Sequence, residues 1–281
     1  MPDPMQEAAL PFPLNMAAPG LESFQPPDGP FEPAGAWDLS YGLYSMARRC
    51  DRAGGLRLTR TPDGPERARL AVSCSKIAPG NHHQAITAEI ECRTDALATP
   101  IRWQYEMKSF GPDGQPAVAT QLAKKAAVKK DAVEFAVGRR RTRAALPAAY
   151  ALNWALFDAV QRLPRVPFEP IAFTLIDHFD QFKPGQTLSY WKSTELEMGG
   201  EKVERHRWEQ LEKGRIRKTS WERVGARPIR LHAYSQLGRG IVPWVYWVDG
   251  AGRILAVVAG LEAYILESTA PAAATGKEPA R

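Results

Sequence analysis

The segment that most constrains the fold is a pair of apolar runs joined by a glycine-rich turn near the C-terminus. The first run covers residues 243–248, the turn is 249–252, and the second run covers 253–266. Asp-Gly in the turn tolerates positive φ, and the flanking residues are β-branched or aromatic, so the pattern predicts a β-hairpin. Both alternating sets of side chains are apolar. Because a sheet with one wet face alternates apolar with polar residues, this hairpin should be covered on both sides or line an apolar cavity.

Strand signals also fill the first half of the chain. Between residues 37 and 137 they are separated by short turns that contain Pro and Gly, such as 61–64 and 111–114. Residues 85–92 alternate apolar and polar side chains, which is typical of a half-buried strand. Strand signals resume over 187–234. The spacing predicts a meander of antiparallel strands.

Residues 147–163, between the two strand-rich regions, predict a central helix. Pro147 suits the first helical position, the Ala and Leu residues that follow favour helix, and Pro164 ends it. The apolar face is broad, so the helix should be largely buried. Residues 171–182 indicate a second, shorter helix or an irregular apolar segment.

These elements predict an α+β fold, mainly antiparallel β, in which a long curved sheet (an open half-barrel) packs on the central helix. Residues 36–267 would form a single β-rich domain, since the chain is long enough to bury a substantial core. Residues 1–35 hold nine of the 24 prolines, and residues 268–281 are rich in Ala, Pro and charge. Both segments are therefore predicted to be disordered, the first as an arm and the second as a tail.

Charge raises the question of an anionic partner. The net charge is +6, and a basic balance can indicate nucleic acid or an anionic surface. The densest basic patches are 124–130 and 139–143. No RNP-like motif, zinc finger or helix-turn-helix pattern accompanies them, so we interpret both as solvated strand faces and predict no specific nucleic-acid partner.

Cysteines and hydropathy bound the chemistry further. Cys50, Cys74 and Cys92 have no metal-binding spacing, and we expect them to be buried, reduced and structural. No apolar run approaches the ~20 residues that a membrane-spanning helix needs. The first residues carry acids and prolines without a basic region, so no signal peptide is visible in them.

The order of strands, a central helix and strands again resembles two groups of bacterial proteins. It resembles the LolA/LolB-like group and, more closely, uncharacterised proteins of the DUF3108 type. The resemblance rests on residues 185–190 at the start of a strand, and on 246–249 followed by 252–255. It covers roughly residues 37–267, in layout. It implies a curled antiparallel sheet over helices, a lipid or lipoprotein acyl chain as partner, and a place in the periplasm or cell envelope.

Aromatic side chains supply the main functional hypothesis. Their density on the predicted sheet and helix is typical of a core, and it also suits an apolar pocket between the two. We predict an envelope-type protein that binds an apolar or lipid-like ligand there. A structural or interaction protein without a small-molecule ligand is the alternative, and a hydrolase is a further one. The predicted ligand-binding residues are Trp154, Phe157, Trp191, Trp244, Tyr246 and Trp247.

A hydrolase would have to use scattered His and Asp residues. The histidines are His82, His83, His178, His206 and His232. Asp177 and Asp180 would share one face of a helix while His178 would point away, and nothing marks a nucleophile near the others. No known catalytic or phosphate-binding motif stands in a suitable context. We therefore predict no catalytic residue, no metal site and no cofactor, and the oligomeric state stays open.

Overall fold

A computed structural model describes residues 10–21, 24–48, 51–78, 82–117, 121–211 and 214–270. Within them the first strands are β1 Trp37–Ser45, β2 Asp51–Pro62, β3 Arg67–Ala78, β4 His82–Arg93, β5 Pro100–Phe110, β6 Leu122–Lys129, β7 Ala132–Val137, β8 Arg140–Ala145 and β9 Tyr150–Leu152. The later strands are β10 Ile171–Asp177, β11 Gln181–Met198, β12 Glu201–Leu211, β13 Gly214–Val224, β14 Arg227–Gly238, β15 Trp244–Asp249, β16 Ile254–Ala259 and β17 Glu262–Ala270. Helices are α1 Ala18–Leu21 and α2 Ala155–Arg162, and Leu14–Ala17 and Met46–Arg48 form 3₁₀ turns.

Fifteen of these strands form one sheet, in the order β8-β7-β6-β5-β4-β3-β2-β1-β17-β16-β15-β14-β11-β10-β9. The pairing is antiparallel except between β9 and β10. The two halves of the chain meet where β1 pairs with β17, while β12 and β13 form a separate two-stranded ribbon. The predicted sheet of mainly antiparallel strands is confirmed. Its hydrogen-bonded ladder does not close, because β8 and β9 are its two edges.

The sheet curls, since strands far apart in its order are joined by side chains. Trp103 on β5 donates from Nε1 to the Phe179 carbonyl beside β10, over 3.0 Å. Tyr150 on β9 donates from its hydroxyl to the Pro100 carbonyl at 3.1 Å. Lys124 on β6 forms an ion pair with Asp180 at 2.7 Å. These contacts define an inner face, toward which the side chains named here turn, and an outer face on the other side of the sheet.

Helix α2 lies within the curl and is held there by a buried charge cluster. Its residues from Ala155 to Gln161 are buried. The Asp158 carboxylate accepts from Arg60 Nε at 2.6 Å and from Arg162 Nη2 at 2.8 Å. Arg162 also donates to the carbonyls of Thr94 and Asp95 in the loop between β4 and β5. Removing one member of such a cluster would leave a buried charge uncompensated, so it anchors the helix to β2 and to this loop.

The central helix is shorter than the predicted 147–163, and the segment predicted to be a second helix or irregular forms strands. Tyr150–Leu152 pairs in parallel with β10, so the helix begins only at Ala155. Good helix formers were overridden here by a tertiary pairing that propensity does not report. Residues 171–177 form β10, and β11 starts at Gln181. A short apolar run suits a buried strand as well as a helix, and its length does not discriminate between them.

The predicted C-terminal hairpin is confirmed, with one strand more than expected. Trp244 pairs with Ala259 and Trp247 with Ala256, and the β15 and β16 residues between the hairpin ends are buried. The second apolar run is broken at Gly260, whose φ is +59°. Glycine adopts this conformation without the steric cost of a Cβ. The chain therefore turns again and returns as β17, which pairs with β16.

The N-terminal segment corrects the prediction of a disordered arm over residues 1–35. Leu14, Ala17, Leu21 and Phe24 are buried and belong to the main core. The 3₁₀ turn that begins at Leu14 contacts β16 and β17, and Gly20 lies against side chains of β1 and β17. These residues cover the outer face of the C-terminal hairpin, which explains why both of its faces are apolar. Residues 1–9 lie outside the described part of the chain.

Arginines fasten the following stretch, residues 24–35, to the sheet. Arg227 forms an ion pair with Asp28 at 2.6 Å. Arg253, which is buried, donates to the carbonyls of Pro27 and Gly29. Arg60 donates to the carbonyls of Ala34 and Gly35. A proline-rich stretch that buries little apolar surface is thus ordered by charge-assisted bonds to its backbone. At the other end β17 extends to Ala270, and the rest of the predicted tail lies outside the described residues.

Candidate functional site

Three of the six predicted ligand-binding residues meet on the inner face. Phe157 of α2 has no exposed surface. Its ring lies 5.7 Å from that of Tyr246 and 6.5 Å from that of Trp244, both edge-on. Two rings that the sequence analysis did not select complete the cluster. These are Tyr41 at 5.7 Å and Tyr264 at 6.1 Å from Phe157. We call these five residues the aromatic cluster.

The aromatic cluster is dry at its centre and reaches the surface at one side. Burial raises the pKa of the Tyr41, Tyr246 and Tyr264 hydroxyls well above their usual range. Trp244 is only partly buried, and it stacks on Tyr264 at 6.0 Å between ring centres. Tyr246 is satisfied internally, because its hydroxyl donates to Gln236 Oε1 at 3.1 Å. The rings therefore fill the space around Phe157, and Trp244 forms the cluster's accessible edge.

Sequence signals for Tyr41 and Tyr264 were present, namely alternation along a strand for Tyr41 and an apolar run for Tyr264. Tyr41 shares its parity in β1 with Leu39 and Leu43, which marks one face of a strand. Tyr264 lies in the second apolar run, which was interpreted as a single strand. Their convergence on Phe157 depends on the pairing of β1 with β17. This pairing joins strands from opposite ends of the chain, and no local sequence pattern predicts it.

Trp154 occupies a different position from the rest of the predicted set. It immediately precedes α2 and is partly buried. Its ring lies edge-on to Phe179 at 5.4 Å, and Phe179 in turn lies 4.5 Å from the ring of Tyr105 on β5. The shorter helix is the reason for the displacement. With the helix starting at Ala155, Trp154 packs toward the turn between β10 and β11, away from the aromatic cluster.

Trp191 and Trp247 lie on the outer face, opposite the aromatic cluster. Trp247 neighbours Tyr246 in β15, and successive side chains of a strand point to opposite faces. Its ring has no exposed surface and lies 6.3 Å from that of Trp191, which is 44% exposed. The Lys192 ammonium stands 4.3 Å above the Trp191 ring. A single ligand between sheet and helix would therefore not contact all six predicted residues.

The histidines and aspartates proposed for a hydrolase are dispersed. His82 and His83 are exposed at the start of β4. Asp177 forms an ion pair with Lys183 at 2.5 Å, while His178 beside it is mostly exposed. The side chain of His206 lies outside the described residues. In the part of the chain that the structure describes, no group of three or more His, Cys, Asp or Glu residues is placed to hold a metal ion.

His232 on β14 makes a polar contact inside the curl. Its Nδ1 lies 3.3 Å from the Tyr190 hydroxyl. Burial lowers the pKa of His232, and the positive charges of Arg165 and Arg230 lower it further. His232 is therefore neutral at pH 7 and suited to accept or donate a hydrogen bond.

The predicted buried cysteines are confirmed where the structure describes them. Cys74 on β3 and Cys92 on β4 are free and buried on the inner face. Burial raises the pKa of the Cys74 thiol to about 11 and that of the Cys92 thiol to about 12. Both are thiols at neutral pH, and thiols are poor nucleophiles and poor metal ligands. Cys50 lies outside the described residues.

Comparison with known proteins adds little to this picture. No family model matches the chain, and no curated protein matches it. Among solved structures, the chain is similar to a beta-barrel-like protein of domain of unknown function DUF1849 from Brucella abortus. That likeness has 9% sequence identity and a TM-score of 0.48, and it covers 84% of this chain and 97% of the other. A likeness this distant shows neither a shared function nor a shared fold.

The resemblance to the LolA/LolB-like and DUF3108-type groups is found by none of these comparisons and stays a prediction. Among the described residues, no helix has the length and apolar character to cross a bilayer.

Proposed function

We propose that the chain is a binding protein without catalytic activity, and that it takes an apolar or lipid-like group at the Trp244 edge of the aromatic cluster. The observation that carries the proposal is the exposure gradient across the cluster. Phe157 and Tyr246 have no exposed surface, while Trp244 stacks on Tyr246 and Tyr264 and is partly open to solvent. A flat, partly exposed ring backed by buried rings offers an apolar group both a contact surface and exclusion of water.

Further exposed apolar side chains surround this edge. Val242 precedes Trp244 and is 52% exposed, and Leu261 is 59% exposed. Because Trp244 pairs with Ala259 at the open end of the hairpin, residues 242 and 261 flank the same end of the sheet. Gly260 lies directly against Val242. Clustered exposed apolar side chains are a common feature of ligand and partner sites, whereas isolated ones need no explanation.

The ligand in this proposal is an acyl chain or a similar apolar tail. The layout resembles lipoprotein carriers, which is why a lipoprotein acyl chain and an envelope location belong to the proposal. The buried rings limit how deep such a chain can enter. It contacts the rim formed by Val242, Trp244 and Leu261 and does not pass Phe157 unless the rings move. An interaction protein without a small-molecule ligand is the outcome if nothing binds there.

Titration with a fluorescent fatty acid tests the proposal. We expect saturable binding to the unmodified protein and roughly tenfold weaker binding to Trp244→Ala, a loss of about 1.4 kcal/mol. The substitution removes the ring's buried contact area and an aromatic contact worth about 0.5–1.5 kcal/mol beyond that area. Trp191→Ala is the matched control, because it removes an exposed Trp from the outer face. Mass spectrometry of the purified protein would show whether a lipid is retained. Absence of saturable binding, or equal effects of the two substitutions, would contradict the proposal.

A further inference from the structure

A second surface, on the outer face of strands β2 to β8, forms a groove of about 1050 Å³. Its chemistry differs from that of the aromatic cluster, because its side chains are mainly charged. Cross-strand pairing places them in two rows. One row contains Ala71, Glu89, Gln104, Lys125, Ala136 and Arg141, and the other contains Arg69, Glu91, Arg102, Ala127 and Glu134. We call these residues the outer groove.

The carboxylates of the outer groove already have partners. Glu89 accepts a hydrogen bond from Gln104 Nε2 at 2.7 Å. Glu91 forms an ion pair with Arg67 at 3.1 Å, and Glu134 forms one with Lys129 at 2.7 Å. Lys129, with the field of Arg141 and Arg143, lowers the pKa of Glu134. The carboxylate oxygens of Glu89, Glu91 and Glu134 keep lone pairs free to accept further hydrogen bonds.

Three cations of the outer groove, unlike two of these carboxylates, have no oppositely charged partner in the described part of the chain. Arg102, Lys125 and Arg141 have no carboxylate within ion-pair distance among the described residues. Lys125 pairs with Ala136, which pairs with Arg141, so these two cations stand two strands, or about 10 Å, apart. Arg102 pairs with Ala127 and is the diagonal neighbour of Lys125 across β5 and β6. Ala127 and Ala136 lie between these cations, and their short side chains leave space for a ligand on the surface of the sheet.

This combination identifies the chemistry of a ligand. Unpaired cations spaced across several strands complement a linear molecule with repeated anionic groups. The carboxylate oxygens and the Gln104 amide oxygen beside them would be satisfied by hydrogen-bond donors on the same ligand. The phosphate groups of phosphodiester and polyphosphate chains carry acceptors only, so they offer no hydrogen-bond donor to Glu89 and Glu91. The aromatic side chains under the groove, Trp103 and Phe135, are buried on the inner face and offer no surface on which a base could stack.

We propose that the outer groove binds a linear acidic polysaccharide. Carboxylate or sulfate groups of the glycan pair with Arg102, Lys125 and Arg141, and its hydroxyl groups donate to Glu89 and Glu91. The site does not depend on the apolar-ligand site, since the two lie on opposite faces of the sheet.

Isothermal titration with a size-defined heparin oligosaccharide tests the proposal. We expect saturable binding that is roughly tenfold weaker in Lys125→Gln/Arg141→Gln, because each charge-assisted hydrogen bond contributes substantially to affinity. The matched control is Lys108→Gln/Arg139→Gln, which removes the same charge from exposed positions outside the groove. Equal weakening by both double variants would show a diffuse charge effect and overturn the proposal, as would the absence of binding.

A second pair of variants separates a glycan from a simple polyanion. Glu89→Ala and Glu91→Ala each raise the net charge, so they should strengthen binding of any ligand held by charge alone. The proposal predicts the reverse for heparin, since its hydroxyl groups lose their acceptors. Stronger heparin binding to these variants would overturn it. So would tighter binding of polyphosphate or of single-stranded oligothymidylate than of heparin to the unmodified protein. Thermal unfolding of every variant confirms that it is folded.

Discussion

Two regions of one sheet differ in whether their outer face is exposed to solvent. On the outer face of β2–β8 the side chains are charged or small and stay exposed, as in β3, where every second residue is buried. On the outer face of β15–β17 the side chains are apolar, and Leu14, Ala17 and Leu21 cover them. The inner faces of both regions belong to one core. The difference shows that a doubly apolar strand in an antiparallel sheet implies a covering segment, which here comes from the other end of the chain.

The covering segment also explains how a chain start rich in proline becomes ordered. Composition alone suggests that such a segment cannot bury enough apolar surface to offset its conformational entropy. The sheet supplies what the segment lacks. Strands β16 and β17 provide an apolar surface, and Arg60, Arg227 and Arg253 bind the segment's backbone or side chains. The N-terminal segment is therefore ordered by its contacts with the sheet rather than by its own sequence.

The largest expected effect comes from uncovering the C-terminal hairpin. Leu14→Ala/Leu21→Ala should lower the free energy of unfolding by about 4 kcal/mol or more, since each buried Leu→Ala change costs about 2–5 kcal/mol. Urea unfolding followed by tryptophan fluorescence measures this. Phe12→Ala is the matched control, because Phe12 is 66% exposed and its removal should change little. If the double variant is as stable as the unmodified protein, the segment does not cover the hairpin.

A smaller effect is expected beneath the same hairpin, on its inner face. Phe157→Ala should lower the free energy of unfolding by about 3–5 kcal/mol, because it leaves a cavity among four aromatic rings. Trp154→Ala should cost less, about 1–3 kcal/mol, since Trp154 is only partly buried and contacts one ring. Equilibrium unfolding of the two variants under the same conditions gives the comparison. A larger loss from Trp154→Ala would place the centre of the core elsewhere.

Sequence reasoning succeeded where one local signal determined one element. The alternation in residues 85–92 and the Asp-Gly turn at 249–250 fix strands and a hairpin through the pleat and the turn geometry, and both are present. Sequence reasoning was wrong where a partner distant in the sequence determined the conformation or the burial of a segment. Residues 150–152 became a strand because β10 is available for pairing. Leu14, Ala17, Leu21 and Phe24 became part of the core because the hairpin has an apolar outer face to cover. Neither partner is visible within a short window of sequence.

The candidate sites follow the same division. Phe157, Trp244 and Tyr246 were predicted together from their apolar surroundings, and they converge. Trp191 and Trp247 were included because aromatic density carries no information about which face a residue occupies. The basic patches that contain Lys125 and Arg141 were interpreted as solvated strand faces, since a binding role depends on which cations lack partners. That property follows from the register of β5 to β8, which the sequence does not determine.

The smallest effect should come from the exposed outer face of β2–β8. Lys125→Gln and Arg141→Gln should each change the free energy of unfolding by no more than about 0.5 kcal/mol, because neither side chain is buried or paired with a carboxylate in the described structure. Unfolding in urea at low and high salt measures the change. A small gain in stability at low salt is compatible with relief of repulsion among Arg102, Lys125 and Arg141. A loss of 2 kcal/mol or more, on the scale of about 1–3 kcal/mol for a broken buried interaction, would show that this face is also covered, and the contrast between the two regions would then disappear.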